Sequence, residues 1–112
     1  MKMVCAVIKP HMLDDVKAAL AAFGVKGLTV TDAVGYGRQK GKTEVYRGTE
    51  YTVDLLPKTR VEVLCDGYDA EDVANVIMQA ARTGRIGDGK VWITGVDRVF
   101  RIRTGETDDE AL

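Results

Sequence analysis

The stretch RVEVLCDGYDAEDVANVIMQAARTGRIGDGKVWITGV, residues 60–96, decides the fold. Its first six residues alternate: Val61, Val63 and Cys65 fall on one face of a strand, and Arg60, Glu62 and Leu64 on the other. Asp69 stands where an N-cap belongs and Asp72 in the first turn of a helix. Val73, Val76, Ile77 and Ala80 then recur at helical spacing, and the helix ends near Gly84. Val91–Val96 reads as a strand again, so the unit is strand, helix, strand. The same order appears upstream. Met3–Ile8 is a short apolar run read as a central strand, and Lys9-Pro10 leads into a helix whose face carries Leu13, Val16, Leu20 and Phe23. Gly24 ends that helix, and Leu28–Val34 alternates as a strand. A further strand is read at Arg98–Arg103. Two such halves in succession predict an α+β, ferredoxin-like βαββαβ sandwich, a sheet with both helices on one face. The halves show no convincing residue-by-residue repeat.

The chain has 112 residues, enough for one domain spanning 1–112 with a real core. Hydrophobic residues are 46%, too many for a disordered regulator, and the net charge of −1 offers no bulk attraction for nucleic acid or anionic lipid. No apolar run is long enough to span a membrane, and Met1–Pro10 lacks a signal-peptide cleavage region, which predicts a cytoplasmic protein. Cys5 and Cys65 lie in apolar segments without CxxC spacing; they read as buried free thiols, with a disulfide or metal pair as the alternative. The single histidine, His11, leaves too few ligands for zinc, and the absence of serine excludes a Ser/His/Asp triad. Twelve glycines against two prolines is the oddest figure, because glycine costs backbone entropy unless a turn or a close approach needs it.

Seven of the twelve glycines lie in two segments that do not read as framework. Gly35 to about Leu56 is polar and without sustained periodicity; a loop of roughly twenty residues in a compact domain is uncommon and usually functional or mobile. It opens with Gly35-Tyr-Gly-Arg-Gln-Lys-Gly41, which has one residue too many for GxGxxG and no helix after it. Thr83-Gly-Arg-Ile-Gly-Asp-Gly-Lys90 suits phosphate through glycine N–H groups beside a lysine. It fails as a Walker A loop, since Val91 stands where Ser or Thr would hold magnesium and a strand follows. A third anion signal is Arg98–Arg103, where Arg101 and Arg103 share one face of the predicted strand. Against these stand plain readings: a helix-to-strand connection, a solvated turn and a charged edge strand. Tyr46 and Tyr51 in a polar loop offer a docking or modification site, or pack on the loop base. Together the signals predict nucleotide binding without a hydrolytic constellation and with no catalytic residue. Asp14, Asp15, Asp108 and Asp109 read as solvated charge.

Across Lys9-Pro10, Leu13-Asp-Asp-Val16, Gly35–Gly41, Thr43-Glu-Val-Tyr-Arg-Gly48, Glu50-Tyr51, Pro57-Lys58, Thr83–Trp92 and Arg101-Ile-Arg-Thr-Gly-Glu106, the sequence resembles the PII signal-transduction proteins, end to end. The resemblance implies a homotrimer, not an enzyme, with ATP or ADP competing for clefts between subunits and 2-oxoglutarate binding with Mg-ATP. It implies a target-docking T-loop at about 37–55, a nucleotide-binding loop at 83–90 and a C-terminal segment at 101–112. Carried over, Gly35, Gly37, Arg38, Gln39, Gly87, Asp88, Gly89 and Lys90 line the nucleotide from one subunit. Thr29, Glu62, Arg101 and Arg103 do so from its neighbour, with Leu64 near the adenine. Gln39 helps hold Mg2+, which takes few protein ligands and leans on ligand oxygens. Lys58 pairs with a 2-oxoglutarate carboxylate, closed by Gln39, Lys40, Gly41 and Gly87. Tyr51 matches the position uridylylated or adenylylated by a nucleotidylyltransferase. Partners in the wider family are an ammonium channel, glutamine synthetase adenylyltransferase, an arginine-pathway kinase and a membrane-bound transporter complex. Membrane association is implied only through such a target, and no nucleic acid is expected.

Met3 stands where lysine is frequent, Thr49 where Ala or Ser is usual and Lys42 where His is frequent, while Leu28 and Leu64 vary near the adenine but stay apolar. None removes a named contact; Thr49 bears on partner choice and on Tyr51 modification. The alternatives are a PII-like regulator of another pathway or transporter, a weak ATPase, which lacks a general base, and an RNA-binding module. The last needs several aromatics on one sheet face, which Trp92 and Phe100 do not supply.

Overall fold

In the computed structural model, residues 1–37 and 55–112 are described in full, and residues 43–46 and 49–52 by their backbone. The elements are β1 (Lys2–Ile8), α1 (Leu13–Phe23), β2 (Thr29–Gly35), β3 (Thr43–Tyr46), β4 (Thr49–Thr52), β5 (Leu56–Cys65), α2 (Ala70–Ala81) and β6 (Gly89–Gly95), with short 3-10 turns at Pro10–Met12 and Asp108–Ala111. The sheet runs β2-β5-β1-β6 with every neighbouring pair antiparallel. This is the predicted α+β sandwich, ferredoxin-like in order.

Its core follows from the period-2 and period-3.6 patterns. Val4, Ala6 and Ile8 of β1 and Val61 and Val63 of β5 meet Val16 and Leu20 of α1 and Val73 and Ile77 of α2. Each is almost completely buried, and each larger side chain contributes roughly 1.5–3 kcal/mol of transfer free energy. Among the described residues the opposite sheet face carries no helix. There the register sets Thr29, Glu62, Cys5 and Trp92 in one row and Thr31, Arg60, Val7 and Lys90 in the next.

Cys5 and Cys65 are both buried and free, as expected. Burial pushes the Cys65 thiol above its ordinary 9.0, and the nearby carboxylates of Asp69 and Asp66 add to the shift. No helix of the described residues is long and apolar enough to cross a membrane.

Four local expectations change. β5 starts at Leu56, not Arg60. Pro57 breaks the pattern by eye, but it pairs only with Val34 of β2, beyond Thr59, opposite which β1 ends at Ile8, so its missing N–H costs no rung to β1. The aperiodic segment after β2 contains the antiparallel β3–β4 hairpin, with Tyr46 opposite Thr49 and Glu44 opposite Tyr51. Local pairing supplied backbone partners that no burial pattern announced. Asp69 occupies the N-cap position but makes no side-chain cap. Asp66 does comparable work one turn earlier, its Oδ1 accepting the Tyr68 N–H at 2.9 Å.

The largest correction is at Arg98–Arg103, which is not a strand. The β1–β6 ladder is extended by Val96 N–H donating to the Met1 carbonyl. Beyond it the chain pairs with itself: Arg101 N–H reaches Glu106 O and Asp108 N–H reaches Val99 O, both at 2.8 Å, around a turn at Gly105. Alternating charge reads as a strand, but the segment pairs with itself and not with a strand of the sheet.

Candidate functional site

At one end of the sheet, α2 gives way to the loop Thr83–Lys90. Gly84, Gly87 and Gly89 all take left-handed φ. Gly89 is required on two counts: its φ is +102°, and a Cβ there would lie 1.7 Å from the Val7 carbonyl oxygen. The last residues of the loop are thus pressed against β1.

Asp88 organises the loop from inside. Its Oδ2 accepts the N–H groups of Thr83 and Gly84, each at 2.9 Å. Its Oδ1 accepts the Thr83 hydroxyl and lies 3.2 Å from Lys9 Nζ. The Thr83 hydroxyl, ahead of the two backbone N–H groups and Lys9, holds the Asp88 carboxyl well below the usual carboxylate range. A carboxylate has about four lone-pair sites, and all four are engaged.

From the neighbouring strand, Lys58 Nζ donates to Gly87 O at 3.1 Å. Gly35 closes β2 at the same end, opposite Leu56, and Gly37 follows it. A groove of about 210 Å³ runs beneath, floored by Ile8, Met78, Ala81 and Val91 and rimmed by Arg82 and Asp88–Lys90. The structure therefore brings Gly35, Lys58, Gly87, Asp88, Gly89 and Lys90 to one end of the sheet. Arg38, Gln39, Lys40 and Gly41 lie outside the described residues, as does the side chain of Tyr51.

Of the other predicted residues, Thr29, Glu62 and Leu64 lie farther along the sheet, Glu62 one row from Lys90. Thr29 and Glu62 are register partners. With Leu64 they line an open cavity of about 840 Å³ that also takes in Phe23–Leu28, Asp109 and Leu112. Six strand steps separate Thr29 from Gly35, roughly 20 Å at about 3.3 Å per residue. Within one copy, Thr29 is therefore far from Gly35 along β2.

Glu62 is held by Arg60, whose Nε donates to Oε1 at 3.0 Å, while the Arg60 guanidinium lies 5.4 Å from the centroid of the Trp92 ring. Arg101 donates to Glu106 Oε1 and to the main-chain oxygen of Leu112, both at 3.1 Å, and Leu112 lines the same cavity. Because this segment is a turn, Arg101 and Arg103 do not share a strand face. Arg101 is tied inward and Arg103 is exposed.

Sequence reasoning put Thr83 in the phosphate loop and Lys9 and Glu106 in the resemblance without assigning any of them a contact, and it gave Arg60 no site role. The Lys9-Pro10 step read only as a helix lead-in, and Thr83 and Lys9 are 74 residues apart. Arg60 and Glu62 were legible, since an i, i+2 pair on a strand shares a face. Among the described residues no group of three or more His, Cys, Asp or Glu gathers as a metal cluster would.

Comparison with known proteins gives one answer. The family model described as Nitrogen regulatory protein P-II matches residues 1–106. The nitrogen regulatory protein P-II of Rhizobium meliloti is 56% identical over 112 residues, covering all of both chains. That of Azospirillum brasilense is 55% identical and the nitrogen regulatory protein P-II 1 of Escherichia coli K12 is 52% identical, each again over 112 residues and all of both chains.

Proposed function

Because the chain belongs to the nitrogen regulatory protein P-II family, we propose that it is a non-enzymatic sensor of nucleotide and 2-oxoglutarate that reports to target proteins. The observation that carries this reading is the loop 83–90. Its carboxylate is consumed internally, its glycines take left-handed φ, and Gly89 has no room for a Cβ. In this reading the loop backbone beside Lys90 meets the phosphate oxygens of ATP or ADP.

The roughly 20 Å between Thr29 and Gly35 supports a site shared between copies. Gly35, Gly37 and Gly87–Lys90, with Arg38 and Gln39, would face the phosphates from one copy. Thr29, Glu62, Leu64, Arg101 and Arg103 would come from the next. The helix-free sheet face, where Leu64 and Trp92 are exposed apolar side chains, gives the copies a surface to bury. A homotrimer satisfies both requirements.

Lys58 is the candidate for a 2-oxoglutarate carboxylate, with Gln39, Lys40, Gly41 and the Gly87 backbone closing the site. Gln39 would contribute to holding Mg2+, which when bound supplies charge neutralisation between the two ligands. Effector binding then biases the segment 37–55, the docking element for an ammonium channel, glutamine synthetase adenylyltransferase or another enzyme or transporter, a population shift driven by differential affinity. Tyr51 on β4 is the candidate for nucleotidylylation. The chain works in the cytoplasm and reaches a membrane only through a target.

Isothermal titration tests the reading. ATP and ADP should compete, and 2-oxoglutarate should bind only with Mg-ATP present. No ATP binding, or 2-oxoglutarate binding equally well without Mg-ATP, overturns it.

A further inference from the structure

We infer that Lys9 is a positioning residue for the phosphate loop, acting on nucleotide affinity through Asp88 and Thr83 without touching the nucleotide. This rests on the nucleotide reading of loop 83–90 and adds a residue to it.

Three observations converge. First, Lys9 lies outside the loop, one residue past Ile8, and Ile8 is the register partner of Gly89. The end of β1 thus fixes the loop's exit and supplies its anchor. Second, Lys9 Nζ is 3.2 Å from both Asp88 Oδ1 and Thr83 Oγ1, and its side chain is only 12% exposed. Its donors point into the loop, not into solvent. Pro10 contributes, because a residue before proline is restricted to extended backbone, and Lys9 sits at φ −64°, ψ 135°. Third, Thr83 Oγ1 also accepts the Arg85 N–H at 3.2 Å, so the Lys9–Thr83–Asp88 contact ties together the start, middle and end of the loop.

The chemistry explains why a cation belongs there. Asp88 folds the loop by accepting two backbone N–H groups, yet its negative charge would sit beside the phosphates that Gly87–Lys90 are to receive. A like charge at that position would repel them. Lys9 offsets that charge from behind, so the loop keeps the carboxylate's hydrogen bonds without its field. Lys90 is then the cation on the ligand side, and Lys9 the one on the structural side.

The test compares wild type with Lys9→Met and Lys9→Arg in the full-length protein. ATP affinity is read by calorimetry, adenosine affinity by NMR shift titration, and hydrogen exchange of the Thr83 and Gly84 amides in the nucleotide-free protein. Losing a charge-assisted contact predicts about tenfold weaker ATP binding and about tenfold faster exchange of both amides in Lys9→Met. Adenosine, which carries no phosphate, should bind as in wild type, and Lys9→Arg should restore most of the ATP affinity. Equal losses of ATP and adenosine, or ATP affinity unchanged in Lys9→Met, overturn the inference. Should Lys9→Met fail to fold, Lys9→Gln carries the same comparison. If wild type itself binds no ATP, the nucleotide reading fails and the exchange measurement decides the anchor alone: unprotected amides in Lys9→Met uphold it, unchanged protection refutes it.

Discussion

Lys58 Nζ donates to the carbonyl oxygen of Gly87 at 3.1 Å, joining the sheet residue proposed to meet 2-oxoglutarate to the loop proposed to meet phosphate. The two sites are therefore mechanically adjacent within one copy of the chain. A ligand that recruits the Lys58 ammonium competes with a contact that shapes the glycine loop.

Lys58→Met should abolish 2-oxoglutarate binding in the presence of Mg-ATP. ATP itself should weaken by no more than a few-fold, the scale of one partly exposed hydrogen bond at about 1 kcal/mol. Calorimetric titration of both ligands checks this. Equal loss of the two would contradict the division of roles between Lys58 and the loop.

Gly89→Ala should destabilise the fold by more than about 3 kcal/mol, because a strained φ and a backbone collision add. The atom it would strike is the Val7 carbonyl oxygen, main chain of the central strand β1, which has no rotamer through which to move away. Gly37→Ala is the control: among the described residues nothing lies within 4 Å of its Cβ position, and a change within about 0.5 kcal/mol is expected. Urea unfolding of the two variants separates them, and equal stability would refute the close approach at Gly89.

The contrast between these glycines shows what could be read from the chain. Alternation at Arg60–Cys65 and the stripe Val73, Ile77 report burial, and burial is what fixed β5 and α2. The glycines of 84–89 marked the loop, and the Lys90 beside them its charge. What stayed hidden depends on partners distant in sequence. Lys9 finds Asp88, 79 positions on, only because β1 and β6 are neighbours in the sheet. Local alternation alone puts Arg101 and Arg103 on one strand face. A strand also has to pair, and this segment turns at Gly105 and pairs with itself instead.

That turn makes Glu106 a competitor for Arg101. The pair is partly exposed, with side chains 37% and 41% accessible, so it is worth less than about 1 kcal/mol. Glu106→Gln should free the guanidinium and tighten ATP about two- to fivefold. Arg101→Ala should weaken ATP by tenfold or more, the scale of a charged hydrogen-bond donor to phosphate. If Glu106→Gln weakens ATP instead, Glu106 orients Arg101 for the ligand and does not compete with it.

Asp88 should give the fold an acid-labile contribution. Its folded-state pKa lies below the ordinary 3.8 because the Thr83 hydroxyl, the Thr83 and Gly84 amides and Lys9 all favour the ionised form. The unfolded chain then takes up the proton first as pH falls. The contribution is fully present above the unfolded value and is lost as pH drops through the folded one. Asp88→Asn removes this linkage. Urea unfolding should show a stability gap between wild type and Asp88→Asn that is constant from neutral pH to about pH 5 and narrows below about pH 4. A gap that holds constant to about pH 3 would place the proton uptake on another group. High salt should leave most of the gap intact, because two of the four contacts to Asp88 are backbone N–H groups and only Lys9 is an ion pair open to screening.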